Sequence, residues 1–220
     1  MCIRDRNYRK IDALLNQKNL RILGGFHPKP EDDAPPNSKT LILLGPFEPK
    51  FWSEFKNSLE YQNKIKNPLD TWSERVISAI AKKLEAEPIF PFGTPPYKPF
   101  YKWALRTKRA HRSPINLLVH DTAGLFVSYR GALSFETQIK LPNTKNSPCF
   151  NCQAPCLTEC PVDAFSNQSY DSSACISHIK SIDSKECTIK GCAARRACPI
   201  SKTYGRLPEQ SAFHMQAFIK

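Results

Sequence analysis

Eight of the nine cysteines in this 220-residue chain fall between Cys149 and Cys198. They run Cys149-Phe-Asn-Cys152-Gln-Ala-Pro-Cys156-Leu-Thr-Glu-Cys160-Pro161, then Cys175, then Cys187-x4-Cys192-x5-Cys198-Pro199. The gaps in the first motif are two, three and three residues, those in the second eleven, four and five, and both motifs close on Cys-Pro. Buried structural thiols do not cluster in this way. Such a segment must cross-link its thiols or hand them to metal.

Three chemistries compete for these cysteines. Disulfides need an oxidising compartment, and the opening residues contain no apolar stretch that would address the chain to one. Zinc sites of four thiolates usually take two C-x2-C knuckles with a longer spacer between them, whereas here four cysteines sit within twelve residues. A cubane is several ångströms across and takes three thiolates from one tightly winding loop. A C-x2-C-x2-C-x3-C-P run supplies them, its last cysteine reaching over to a second cluster. The first motif is this pattern with one residue added to the middle gap. The spacing therefore points to two 4Fe–4S clusters, with zinc and disulfides as the alternatives.

Residues 149–165, ending Cys160-Pro161-Val162-Asp163-Ala164-Phe165, resemble a bacterial dicluster ferredoxin. Ser173-Ala174-Cys175-Ile176-Ser177 is similar to the stretch after the first motif in epoxyqueuosine reductase and its reductive-dehalogenase relatives. Those enzymes join a corrinoid-binding α/β domain to a ferredoxin domain in this order. Nearly the whole chain also resembles a set of small alphaproteobacterial proteins called ferredoxins. That likeness runs through Asn67-Pro68-Leu69-Asp70-Thr71-Trp72-Ser73, Tyr129-Arg130-Gly131-Ala132-Leu133 and Gly191-Cys192-Ala193-Ala194-Arg195-Arg196-Ala197-Cys198-Pro199. The resemblance implies that Cys149, Cys152, Cys156 and the distant Cys198 hold one cluster. Cys175, Cys187, Cys192 and the distant Cys160 would hold the other, so that neither motif folds alone. Lys190, Arg195 and Arg196 stand near the second set in sequence. Positive charge there would favour the reduced cluster and raise its potential; a solvated basic loop is the plain alternative.

The rest of the chain reads as α+β: an N-terminal α/β domain, then a small loop-rich ferredoxin-like domain. Residues 1–6, Met-Cys-Ile-Arg-Asp-Arg, match the translated end of a transposon used to fragment DNA for sequencing and are set apart as non-native. Residues 7–40, polar and rich in proline, read as an irregular lead-in. The α/β domain spans residues 41–141. Its apolar run at 41–44 reads as a buried strand, and Phe51, Trp52, Phe55 and Leu59 follow a helical spacing. Thr71 and Glu74 form a capping box ahead of a Trp72, Val76, Ile80, Leu84 stripe. Five prolines make 88–99 a loop. Residues 117–119, 125–129 and, more weakly, 137–141 read as strands. Residues 142–148 are a linker by composition, and the ferredoxin-like domain covers 149–220.

Within the first domain, His120-Asp-Thr-Ala-Gly-Leu-Phe-Val-Ser-Tyr-Arg130-Gly-Ala is similar to a His-Pro-x-x-Gly-Gly-Trp-Phe-Ala-x-Arg-Gly stretch of cobalamin-processing reductases. It departs at His-Asp and lacks the second Gly and the Trp. The likeness implies His120, Tyr129 and Arg130 as candidates for binding a corrinoid or a flavin; a turn histidine and a strand-end charge are the alternatives. The proton-donating carboxylate of the queuosine enzymes has no equivalent here, so no catalytic residue is assigned.

The chain is basic, with 32 Lys and Arg against 20 Asp and Glu, a net +12. No acid lies between Pro88 and His120, where Lys98, Lys102, Arg106, Lys108, Arg109 and Arg112 cluster. Phe100, Trp103, Ala104 and Ala110 fit one face of a helix there, and Lys102, Arg106 and Arg109 the other. The basic face is a candidate for docking an acidic redox protein or nucleic acid, or is simply solvated. With eight glycines and no Walker-type or G-x-G-x-x-G loop, nucleotide binding through either is not expected. No apolar run is long enough to span a bilayer, so no membrane partner and a cytoplasmic location are expected. Three functions follow: an iron–sulfur electron-transfer protein, a corrinoid- or flavin-dependent oxidoreductase, or a zinc-stapled RNA-binding module.

Overall fold

The computed structural model describes residues 3–144, 146–166 and 169–219. The chain divides into two units that interleave in sequence, Met1–Arg109 with Ser128–Lys145, and Ala110–Val127 with Asn146–Lys220.

The first unit is built on a four-stranded sheet in the order β1 (Leu20–Phe26), β2 (Thr40–Pro46), β6 (Gly131–Phe135), β3 (Glu87–Ile89). Every neighbouring pair is antiparallel. The α/β expectation is therefore corrected to α+β, with no parallel crossover among the described strands. β2 is buried along its whole length, which is why it reads as an unbroken apolar run rather than an alternating one. Helices α1 (Ile3–Asn16), α4 (Pro68–Leu84) and α5 (Phe100–Arg106) pack on the strands. The short α2 (Lys50–Lys56) and α3 (Leu59–Gln62) carry Phe51, Trp52, Phe55 and Tyr61 into an aromatic cluster with Trp72. Leu59, expected on that apolar stripe, is 71% exposed at the start of α3.

Three local expectations are corrected here. Residues 7–40 are not an irregular lead-in: α1 buries Ile11 and Leu15, four residues apart, and β1 buries Leu20, Ile22, Leu23 and Phe26. The apolar stripe of α1 is so narrow that its composition reads as polar. α4 starts at Pro68, not Thr71. Proline loses nothing at a first helical turn, where its missing N–H would have no partner, and the Thr71 hydroxyl donates to the Asn67 carbonyl instead of capping. The strand expected at 125–129 and the weaker one at 137–141 are replaced by β6 between them. Gly131 permits this register, because a Cβ there would lie 2.8 Å from the Ile77 side chain.

The second unit opens with the hairpin β4 (Ala110–Arg112) and β5 (Leu118–His120), antiparallel to each other. Residues 110–127 thus leave the 41–141 segment assigned to the first domain. The reason is apolar: Ile115, Val119 and Leu125 are buried in one core with Cys156, Phe165, Ala194 and Cys198. Short helices follow: α6 (Ser172–Lys180), α7 (Lys185–Lys190), α8 (Ala193–Ala197), α9 (Pro199–Thr203) and α10 (Pro208–Phe218). Among the described residues no helix is long and apolar enough to cross a membrane.

Candidate metal centre

Cysteine positions in the second unit are set by how its short helices begin and end. Asp171 caps α6, its carboxylate accepting the Ala174 N–H at 2.8 Å, and so fixes Cys175 in the first turns. Cys187 is buried within α7. Gly191 ends that helix with φ +83°, and a Cβ there would lie 2.6 Å from the Ser211 side chain. The turn it makes leaves Cys192 as the residue capping α8, and Cys198 stands likewise ahead of α9, whose first residue is Pro199. The second Cys-Pro is thus a helix start, where proline's fixed φ suits the first turn.

Cys160, Cys175, Cys187 and Cys192 line one small cavity, together with apolar side chains that include Val162, Phe165, Ile179 and Met215. Cys160 reaches it from the first motif. The other four thiols also act on one another: charge on Cys149, Cys152 or Cys198 opposes ionisation of Cys156, and charge on Cys152 or Cys198 opposes that of Cys149. Burial pushes the thiols of Cys149, Cys156, Cys175 and Cys187 up, with neighbouring thiolates adding to it; Cys156 reaches about 11. A metal taking these ligands must therefore displace protons that the free protein holds at neutral pH. All eight thiols are free of disulfide bonds. Among the described residues, no three His, Cys, Asp or Glu side chains are grouped to hold a single ion.

The Ala164 N–H donates to Cys160 Sγ at 3.3 Å, and the Cys149 N–H donates to the Ser147 hydroxyl. Tyr170, the Ala193 backbone and Ser147 ease ionisation of Cys175, Cys187 and Cys149 in turn, against the effect of burial. Of the basic residues expected near the second set, Arg196 eases ionisation of Cys187 by its charge. It also donates to the Gly191 carbonyl and to Glu186, and Lys190 pairs with Glu186 at 2.8 Å. Arg195 donates to the Leu125 carbonyl, tying α8 to the segment after the hairpin. Part of this basic loop is structural.

The other candidate residues are divided between the units. His120 lies in the second, fully buried, its Nδ1 accepting the N–H groups of Thr122 and Ala123. Asp121 Oδ1 lies 3.1 Å from the same nitrogen. This is the geometry of a histidine that closes a turn. Tyr129 and Arg130 lie in the first unit. Arg130 is buried, donates to Asp70 at 2.6 Å and sits over the Phe92 ring; burial lowers its pKa. Asp70 and Arg130 join two stretches, 67–73 and 129–133, that the ferredoxin likeness singles out.

The basic helix face is corrected. Phe100, Trp103 and Ala104 are buried on α5 as expected, but the helix ends at Arg106, leaving Arg109 and Ala110 beyond it. Arg106 holds both carboxylate oxygens of buried Asp32, at 2.9 and 3.1 Å, and Arg109 donates to the Ile22 carbonyl. Lys102 is exposed. Arg106→Gln is expected to destabilise the protein by about 2 kcal/mol, because it removes the charged partner of a buried carboxylate and leaves it the Lys29 N–H. Lys102→Gln should leave it within about 0.5 kcal/mol; paired denaturant titrations check both. Asp32 was not legible as the partner of Arg106 in the sequence, since it belongs to no spaced motif.

Comparison with protein-family models, curated proteins and solved structures finds no match to this chain.

Proposed function

We propose that this chain is an electron-transfer protein holding two 4Fe–4S clusters. Cys149, Cys152, Cys156 and Cys198 would hold one, and Cys160, Cys175, Cys187 and Cys192 the other. The observation that carries the reading is the cavity at which Cys160 of the first motif joins three cysteines of the second. The donor set fits the group: four soft thiols around an apolar pocket, with the Ala164 N–H donating to the Cys160 sulfur.

When bound, such a cluster takes up and returns one electron at a time. The chain's own part is to exclude water and to spread the added charge. Phe165, Ile179 and Met215 line the cavity with apolar surface. The Ala164 and Ala193 N–H groups and the Arg196 guanidinium oppose the negative charge that thiolates bring. A reducing compartment such as the cytoplasm would keep the thiols available.

Protein purified without oxygen is expected to be brown, to carry about eight iron and about eight sulfide per chain, and to bleach with dithionite. Stoichiometric zinc with no sulfide would overturn the reading in favour of a zinc-stapled module.

A further inference from the structure

We infer that α3 and the turn after it dock on an anionic lipid surface, Leu59 and Ile65 entering the bilayer and Lys64 and Lys66 resting among its headgroups. The inference stands apart from the cluster reading. It starts from an inversion: Leu59 is 71% exposed, while its neighbour Glu60 is 7% exposed. Folding alone favours the opposite arrangement, an apolar side chain in and a carboxylate out. Here Glu60 is turned inward, where Arg75 holds both of its carboxylate oxygens. Tyr61 is turned in as well, its ring edge-on to Trp52 and Phe55.

The backbone then brings a second apolar side chain round to the first. The N–H groups of Asn63, Lys64 and Ile65 donate to the Leu59, Tyr61 and Glu60 carbonyls at 2.9, 3.1 and 3.3 Å. This folds the chain back on α3, and Ile65, 37% exposed, joins Leu59 on the turn. Lys64 and Lys66 flank Ile65, are exposed, and pair with no carboxylate among the described residues. Glu60 is the one acid in residues 55–69, and Arg75 occupies it.

Two aliphatic side chains set between lysines suit a bilayer surface. Leucine and isoleucine gain by leaving water for the acyl boundary, while lysine stems lie along it with their ammonium groups among anionic headgroups. A protein partner takes about 800 Å² from each side, far more than two side chains supply. Single-stranded nucleic acid takes free rings for stacking, and the one ring in residues 56–69, Tyr61, is committed to Trp52 and Phe55. Lying on a bilayer needs no run of residues long enough to span it.

The test is co-sedimentation of the full-length protein with vesicles at physiological salt. The vesicles are phosphatidylcholine alone, or phosphatidylcholine and phosphatidylserine in equal parts. The mixed vesicles are expected to bind the protein and the neutral ones to leave it in solution. Leu59→Gln and Ile65→Gln should each weaken binding about fivefold to tenfold. The Lys64→Gln, Lys66→Gln double variant should weaken it about 25-fold, at about fivefold per lysine. All four side chains are exposed, so thermal midpoints should stay at the wild-type value. A Lys82→Gln, Lys83→Gln double variant removes the same charge from the last turn of α4. That turn lies about 21 Å along the helix from its start, and binding should stay within about twofold.

No binding of the wild type to mixed vesicles would overturn the inference. So would full binding by Leu59→Gln and Ile65→Gln, which would leave charge without insertion. An equal loss from the Lys82, Lys83 double variant would overturn it in favour of overall charge. Binding of a single-stranded RNA that disappears with Lys64 and Lys66, with vesicles ignored, would overturn it in favour of nucleic acid. None of these outcomes bears on iron content, so the cluster reading is judged separately.

Discussion

On the proposed two-cluster reading, Cys198→Ala is expected to leave the protein with about four iron atoms in place of about eight, through loss of the cluster assigned to the first motif. Cys198 stands in the second motif, so intuition from sequence order says the opposite. Its surroundings explain the outcome. It is buried in one apolar core with Cys156, and its charge acts on both Cys156 and Cys149. Cys160, Cys175, Cys187 and Cys192 keep their own cavity in the variant. Iron and sulfide analysis with electron paramagnetic resonance checks it: the surviving signal should be the one that Cys160→Ala abolishes. Loss of that signal instead would put Cys198 with the second set. Cys160→Ala is the mirror experiment.

Gly124→Ala should lower stability by about 3 kcal/mol, a fall of the order of 15 °C in the thermal midpoint of the second unit. Gly124 has φ +55°, a conformation that costs an alanine about 1 kcal/mol or more. A Cβ there would lie 2.5 Å from the Ser201 backbone nitrogen and 2.6 Å from its hydroxyl oxygen. Ser201 cannot retreat cheaply, because that hydroxyl accepts the Leu125 N–H at 2.9 Å and the residue is buried at α9. Calorimetry of the loaded protein measures the loss. A midpoint within a few degrees of wild type would mean that the segment after β5 does not seat against α9 as described.

How far the sequence reaches depends on the length scale of the signal. The central strand and the Trp72, Val76, Ile80 stripe of α4 are legible because a run or a helical period writes burial directly into the residue order. The four cysteines at the cavity are legible as a set only through spacing and resemblance, and it is the fold that brings Cys160 beside the others. The hairpin at 110–120 is different. Ile115, Val119 and Leu125 announce burial but not against what, and sequence order assigns them to their neighbours rather than to Cys156 and Ala194. Likewise Arg106 looks like free charge in a run without acids, since its partner Asp32 lies 74 residues away. Long-range pairing of polar groups leaves no local trace.

The interleaving of the units bears on how such a chain can be inherited. Its cysteine-bearing unit is not one continuous stretch but two, with Ser128–Lys145 of the other unit written between them. A gene segment that carried residues 146–220 into a new protein would leave Ile115, Val119 and Leu125 behind, along with the carbonyls that Arg195 and Arg206 hold. A segment that ended at residue 127 would cost the first unit β6, the strand between β2 and β3. A breakpoint after residue 145 keeps the first unit whole and splits the second, and one after residue 109 does the reverse, so no single breakpoint leaves both intact. Both units are kept whole only when they are transmitted together, and redesign that must preserve both begins from the whole chain.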